Sequence, residues 1–323
     1  MELTRWALGN AEKLSVHAEK YSWIGDWLPG FFDYGVIVTF VGRQFSGRGI
    51  DKTEETAFEK AVAEALERAA VAAALPGVYC GTAAYPDKPG AKLRAYRELL
   101  GIDRVFCHHY TGAKMRRMAW SESAGYFPDG ALLRKIGQTG MEFSLYELRP
   151  ALDARVVCAI AYGGQLKFGG FLSGFGVDAD LSSAAAHAVI ECLRTVAACL
   201  LTDYSPAESL EALKRKGEPR WHFWMAQRPE SLDDLRGRLL PATGEDIRLE
   251  PEEISAGDIT FSMVESLRPD YPDIPLEIAC ASSDKLIKPQ FGDIVASPAL
   301  IKRLESFAGK SVEINGIAQH FYG

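Results

Sequence analysis

Five positions at fixed spacing occur three times in this sequence, and a pattern repeated without gaps requires a repeated piece of structure. With Gly49 as origin in "SGRGIDKTEETAFEKAVAEALERAA", Gly47 lies two residues before it, and Ala57, Ala61 and Glu64 lie eight, twelve and fifteen residues after it. Ala83 in "CGTAAYPDKPGAKLRAYRELLGIDR" reaches Gly81, Ala91, Ala95 and Glu98 by the same steps. Gly176 in "LSGFGVDADLSSAAAHAVIECLRTV" reaches Gly174, Ala184, Ala188 and Glu191. The alanines and the glutamate are separated by four and then three residues, which stacks them on one helical face. Small residues let that face lie close to a sheet, and the glycines allow positive φ or close approach of backbone. Each repeat reads as strand, glycine turn, helix, with Asp51 or Thr53, Asp87 and Ser182 as candidate N-caps. In the first repeat Glu67 and Arg68 extend the acidic face by three and four residues.

Such units need a core to pack on, and the chain has the material for one. Its 323 residues are 47% hydrophobic and 24% charged, a globular composition whose length allows about two domains of ~150 residues. A net charge of -7 argues against a nucleic-acid binder, whose affinity comes mainly from clustered Lys and Arg. The first twenty residues carry charges every few positions and lack the apolar stretch of a signal peptide. No uninterrupted apolar run reaches the ~18 residues of a membrane span. The six cysteines form no CxxC pair, which suits reduced thiols and a cytoplasmic protein.

The repeated acids admit two readings. One is a solvated helix face with Glu/Arg pairs at helical spacing, each worth a few tenths of a kcal/mol. The other brings Glu64, Glu67, Glu98 and Glu191 together, where two unit charges 4 Å apart would repel by about 4 kcal/mol at an effective dielectric of 20. Such a cluster requires a cation, and hard divalent ions such as Mg2+ take carboxylate and phosphate oxygens together. No GxxxxGK[ST] loop and no dinucleotide fingerprint is present, so a nucleotide site here would be of a less familiar kind.

Other stretches invite readings of their own. In "RVFCHHY" Cys107, His108 and His109 are adjacent, whereas zinc ligands are usually spaced, so a partly buried strand or helix end is preferred over a metal or nucleophile site. "RWHFWMAQ" at 220 to 227, if extended, alternates Trp221, Phe223 and Met225 against His222 and Trp224 as a core or interface strand. Residues 1 to 34, with Trp6, Trp23, Trp27, Phe31 and Phe32, form a candidate packing or dimer segment. Residues 203 to 258 are polar and broken by prolines, and read as an insertion of exposed helices and loops.

The three repeats resemble the nucleotide motifs of YcaO-domain proteins. "SGRGIDKTEETAFEKAVAEALER" looks like the first, with its terminal ExxER; "GTAAYPDKPGAKLRAYRELLGIDRVFCHHY" and "FGVDADLSSAAAHAVIECLRT" are similar to the second and third. "LEIACASSDKLIKPQFGD" resembles the family's late strand and following loop, so the likeness runs from residue 42 to about 295. It implies an α+β fold, one domain over 1–323, with mixed or antiparallel sheets and three related strand-turn-helix units around a nucleotide site. The function it implies is ATP- and Mg2+-dependent activation of a peptide backbone amide by O-phosphorylation, giving an azoline (cyclodehydratase chemistry), thioamide or amidine in ribosomal peptide natural-product (RiPP) biosynthesis. Carried over residue by residue, Glu64, Glu67 and Arg68 bind Mg2+ and phosphate, and Ser46 and Arg48 form the phosphate turn. Glu98 and Glu191 complete the metal shell, and Arg194 meets phosphate charge. A precursor peptide, a separate leader-binding partner protein and a homodimer are the implied partners, with neither nucleic acid nor membrane.

The departures from the family pattern frame an alternative. Gly101 and Ile102 stand where the second motif has an acid and an arginine, Lys60 where a serine is frequent, and "NGIAQHFYG" lacks the proline-rich ending of azoline formers, with His320 as a terminal polar group. Gly101 and Ile102 favour a catalytically reduced subunit that binds peptide or scaffolds a modification complex, the missing proline-rich ending argues against azoline chemistry, and His320 reads equally as a surface residue.

Overall fold

The computed structural model describes residues 2–75, 81–123, 130–164, 166, 169–201, 212, 214, 219–288 and 295–314. The described elements, in chain order, begin with α1 (Glu2–Gly9), β1 (His17–Tyr21), α2 (Trp23–Trp27), β2 (Phe32–Phe40), β3 (Arg43–Asp51), α3 (Glu54–Ala74), β4 (Gly81–Tyr85) and α4 (Lys88–Thr111). They continue with β5 (Arg116–Arg117), α5 (Ala131–Thr139), β6 (Met141–Leu148), β7 (Arg155–Gly163), β8 (Phe171–Asp178) and α6 (Leu181–Leu201). After the helices Pro219–Ala226 and Pro229–Arg238 come β9 (Thr260–Met263), β10 (Glu277–Ser282) and the helix Pro298–Ala308. The chain divides into two compact units, residues 1–99 with 259–282 and residues 100–258 with 283–323. The division falls inside α4.

The recurring glycines explain how strand and helix fit together in each unit. In the first, β1, β2 and β3 form an antiparallel sheet in that order, and α3 packs on β3 and β2. Gly47 and Gly49 are two residues apart in β3 and therefore face the same side. A Cβ on Gly47 would collide with the Ala61 carbonyl oxygen, and one on Gly49 with that of Ala57. Gly81 in β4 stands in the same relation to Ala95 on α4. In the second unit, Gly174 and Gly176 of β8 meet Ala188 and Ala184 of α6. So the repeat is a strand whose side-chain-free face receives the backbone of the following helix. These glycines are strand residues without positive φ, not a turn, and close approach alone accounts for them. The N-caps are Thr53, whose hydroxyl accepts from the Thr56 N–H, and Asp87, which accepts from the Gly90 N–H. In the third repeat the cap is Asp180, accepting from the Ser183 N–H, rather than Ser182.

The first unit closes with a second antiparallel sheet, ordered β4-β10-β9. Its core joins Trp6 of α1, Val36 and Val38 of β2, Leu66 of α3 and Ile278 of β10. Trp6 packs edge-on against Tyr271, and Trp23 stacks on Trp27, so the amino-terminal aromatics serve internal packing.

The second unit carries the antiparallel sheet β5-β6-β7-β8, with α6 laid on β8 and β7. By length and composition α6 is apolar enough to cross a membrane over Leu181–Leu200, although His187, Glu191 and Arg194 interrupt its apolar sequence. Its Ala184, Ala188, Val189 and Leu193 are buried. "RVFCHHY" continues α4 to Thr111 as helix, with Cys107, His108 and His109 all buried. The stretch at 220 to 227 is helical rather than extended, and Trp221 and Trp224 at helical spacing bury together with Met225 beside them, as a core segment does. The side chains of His222 and Phe223, and His320, lie outside the described residues. Cys107, Cys158, Cys192 and Cys199 are buried free thiols, as a reduced protein would have. Cys280 departs from that expectation, being disulfide-bonded. Bridges join residues remote in sequence, so spacing cannot reveal them; Cys80 lies outside the described residues.

Candidate functional site

The acids of the first two repeats do the same thing locally. Glu64, on α3, accepts a hydrogen bond from the Arg48 N–H at 2.6 Å, and Glu98, on α4, accepts one from the Thr82 N–H at 2.5 Å. Arg48 and Thr82 each immediately precede the repeat origin, so the fifteen-residue step measures the distance at which a helical carboxylate folds back onto its own strand. Glu67 lies one turn beyond Glu64 and turns to β4, accepting from the Thr82 hydroxyl at 2.6 Å and the Ala84 N–H at 3.0 Å. Strand β4 thus carries donors to acids from both helices.

These carboxylates are close enough to feel one another. Burial pushes the Glu98 carboxyl up to about 8, and the charges of Glu67 and Glu64 push in the same direction. Burial likewise raises Glu67, which the hydrogen bonds from Thr82 and Ala84 only partly offset. Neither acid has a guanidinium bonded to it among the described contacts. Glu64 differs, because Arg68 binds its second oxygen at 2.7 Å while donating to the Ser46 carbonyl at 2.8 Å.

Ser46 and Arg48, expected in a phosphate turn, lie in β3 itself. Strand alternation places their side chains on the face opposite Gly47 and Gly49, away from α3. There the Arg48 guanidinium grips Asp33 with two hydrogen bonds, 2.9 and 2.5 Å, and sits 5.1 Å from the centre of the Tyr21 ring. Asp33 is fully buried, and no local pattern in the sequence marks it as the partner. Glu191 and Arg194 belong to the second unit, where they pair with each other at 2.7 Å along α6. The first unit therefore brings together Glu64, Glu67, Arg68 and Glu98, with Thr82 and Ala84 as partners that sequence reasoning passed over. The repeat offered one signal for Thr82: it occupies the position of Arg48.

Cys107 and its neighbours are structural. His108 sends Nδ1 to the Ala113 carbonyl and accepts at Nε2 from the Arg149 N–H, both at 2.9 Å. That is a neutral tautomer, and burial holds its pKa down to about 4. Burial raises the Cys107 thiol well above its ordinary range, the opposite of an activated nucleophile. Asp103, one turn before Cys107, forms a buried ion cluster with Arg303, Arg104 and Glu252. Gly101 is buried too, and a Cβ there would press on Val177 at 2.9 Å, so packing occupies the place of the missing acid. Elsewhere in the second unit, a cavity of about 420 Å³ along the helix Pro298–Ala308 contains none of the expected site residues.

No family model matches the sequence, and no curated protein matches it. Solved structures do. YcaO from Methanopyrus kandleri, bound with AMPPCP and Mg2+, is similar at TM-score 0.60 and 15% identity over 92% of this chain and 95% of that one. A heterocyclase in complex with substrate and cofactor is similar at TM-score 0.65 and 13% identity, covering 98% of this chain and 57% of that chain. The E. coli microcin synthetase McbBCD complex is similar at TM-score 0.52 and 10% identity, over 79% of this chain and 85% of that one. The chain has a YcaO-like fold, mixed helix and antiparallel sheet.

Proposed function

We propose that this protein is an ATP- and Mg2+-dependent enzyme that phosphorylates a peptide backbone amide oxygen during the maturation of a ribosomal peptide. The observation that supports this reading is the group Glu64, Glu67 and Glu98, acids of two neighbouring helices held by strand backbone, on a fold shared with a structure bound to AMPPCP and Mg2+.

The residues fit such an ion. Among the described residues no three acid, His or Cys side chains by themselves form a cage for a metal. Mg2+ commonly takes one or two carboxylates plus substrate phosphates rather than an all-protein cage. Glu67 and Glu98, hard oxygen donors with raised pKa and no bonded cation among the described residues, are the pair that gains from a positive charge. Bound Mg2+ would neutralise phosphate charge and align the transferred group. Glu67 and Glu98 would hold it, and Arg68, a half-exposed guanidinium bound to Glu64, would meet phosphate oxygens. Arg48 contributes its backbone N–H to Glu64, its guanidinium being committed to Asp33.

The chemistry follows from the leaving group. An amide oxygen departs poorly, whereas a phosphorylated one leaves as phosphate. When a neighbouring Cys, Ser or Thr of a precursor peptide adds to the carbonyl, the product is an azoline; sulfur or amine nucleophiles give a thioamide or an amidine. A separate leader-binding protein and a second copy of the chain are the proposed partners, in the cytoplasm. The alternative of a catalytically reduced, peptide-binding subunit draws on Gly101, whose surroundings leave no room for an acid without displacing Val177. Titration of ATP with and without Mg2+ separates the two. Mg2+-dependent binding supports the enzyme, and no binding at millimolar nucleotide supports the subunit.

A further inference from the structure

Thr82 is the point at which the acids of two helices meet one residue. Its hydroxyl donates to Glu67 of α3, and its N–H donates to Glu98 of α4. The strand that carries it cannot drift, because Gly81 is packed against the Ala95 carbonyl and the Leu99 N–H, and Thr82 itself is paired with Cys280 of the central strand β10. The corresponding residue of the first repeat, Arg48, makes the same backbone bond to Glu64 but sends its side chain to Asp33. Of these two repeats, the second has a side chain at this position directed to a candidate metal ligand, and the first does not.

We infer that Thr82 is a positioning residue, fixing the orientations of Glu67 and Glu98 together so that a divalent cation meets both carboxylates already aligned. This deepens the proposed function and rests on it. A hydroxyl donated to a carboxylate limits the side chain to one rotamer, and the shared residue makes the two rotamers depend on each other. Without the hydroxyl, Glu67 retains the Ala84 N–H and Glu98 retains the Thr82 N–H, but nothing ties one acid to the other.

The experiment compares wild type with Thr82→Val, which keeps shape and N–H but loses the hydroxyl, and Thr82→Ser, which restores it. Mg2+ is titrated calorimetrically at a fixed concentration of a non-hydrolysable ATP analogue, and thermal melting without Mg2+ is recorded. The half-saturating Mg2+ concentration is expected to rise roughly tenfold or more in Thr82→Val, the usual effect of losing a hydrogen bond to a charged group. Thr82→Ser is expected to stay within about threefold of wild type, with the metal-free melting points nearly equal. An unchanged Mg2+ requirement in Thr82→Val overturns the inference and leaves the ATP reading standing. Equal impairment in Thr82→Ser overturns it as well, since the methyl rather than the hydroxyl would be at work. If Thr82→Val does not fold, Thr82→Ala takes its place under the same criteria. Failure of wild type to bind the analogue at all overturns both the inference and the proposed function.

Discussion

The protein holds two clusters of acids away from bulk water, and they are built on opposite rules. In the second unit Asp103 is fully buried and receives the Arg303 guanidinium at 2.6 and 2.9 Å, Arg104 at 2.7 Å and the Ile287 N–H at 2.9 Å. Glu252 takes the other side of both guanidinia. Burial alone would push Asp103 up, yet the bonds and charge of Arg303 outweigh it and hold the carboxyl below its usual range. In the first unit the donors to Glu67 and Glu98 among the described residues are all neutral, and both carboxyls are raised. One cluster is neutralised by the chain itself and belongs to the architecture. The other is left short of positive charge, the condition expected where a ligand supplies it.

The sharpest way to break this comparison is to remove one charge from each cluster. Arg303→Met would strand two acids beside a single remaining guanidinium, and should cost about 3 to 5 kcal/mol in urea unfolding, the penalty for breaking a buried pair. Glu98→Gln replaces a carboxyl that already favours its neutral form, and should cost no stability at neutral pH. Equal losses would mean that both clusters are structural.

Acid and alkaline titrations separate the units next. His108 has a folded pKa of about 4, below its unfolded value of 6.5, so the stability it gives is complete above pH 6.5 and is lost as pH falls toward 4. The full effect approaches roughly 3 kcal/mol at about 1.4 kcal/mol per pKa unit. Glu98 works in the other direction. Its folded pKa of about 8 exceeds the unfolded 4.5, so its contribution is complete below pH 4.5 and is lost as pH rises through 8. Melting temperature against pH should therefore fall on both sides, the acid limb becoming shallower in His108→Gln and the alkaline limb in Glu98→Gln, while Asp103 and Glu67 keep part of each.

Ligand binding should act on one cluster alone. Mg2+ with ATP at a hundredfold excess over Kd should stabilise the protein by about 2.7 kcal/mol. That gain should disappear in Glu67→Gln and persist in Cys107→Ala, read as a shift in melting temperature. Loss in both variants would discredit the assignment of the site to the first unit. The smallest expected stability effect is that of Arg194→Ala, which removes a partly exposed pair on α6 worth at most about 1 kcal/mol.

The repeat was legible in the sequence because it is enforced by geometry within one strand and the helix that follows. A glycine two residues before the origin, alanines at eight and twelve and an acid at fifteen leave a single way for the helix to lie on its strand. The same spacing placed Glu64 and Glu98 correctly against their strands. Other readings failed where the deciding contact comes from elsewhere in the chain. "RWHFWMAQ" can alternate as a strand or spiral as a helix, and the burial of Trp221 with Trp224 selects the helix. Arg48, which the resemblance assigns to a phosphate turn, has its guanidinium held by Asp33, fifteen residues away on the neighbouring strand. Asp103 finds Arg303 two hundred residues later. The sequence by itself determined the three strand-helix units and the acids they present, because those distances are short and periodic. Which acids are bonded to a guanidinium, and which receive neutral donors, was decided only by the tertiary structure. Charge compensation depends on what folding brings within about 3 Å, whatever the separation along the chain.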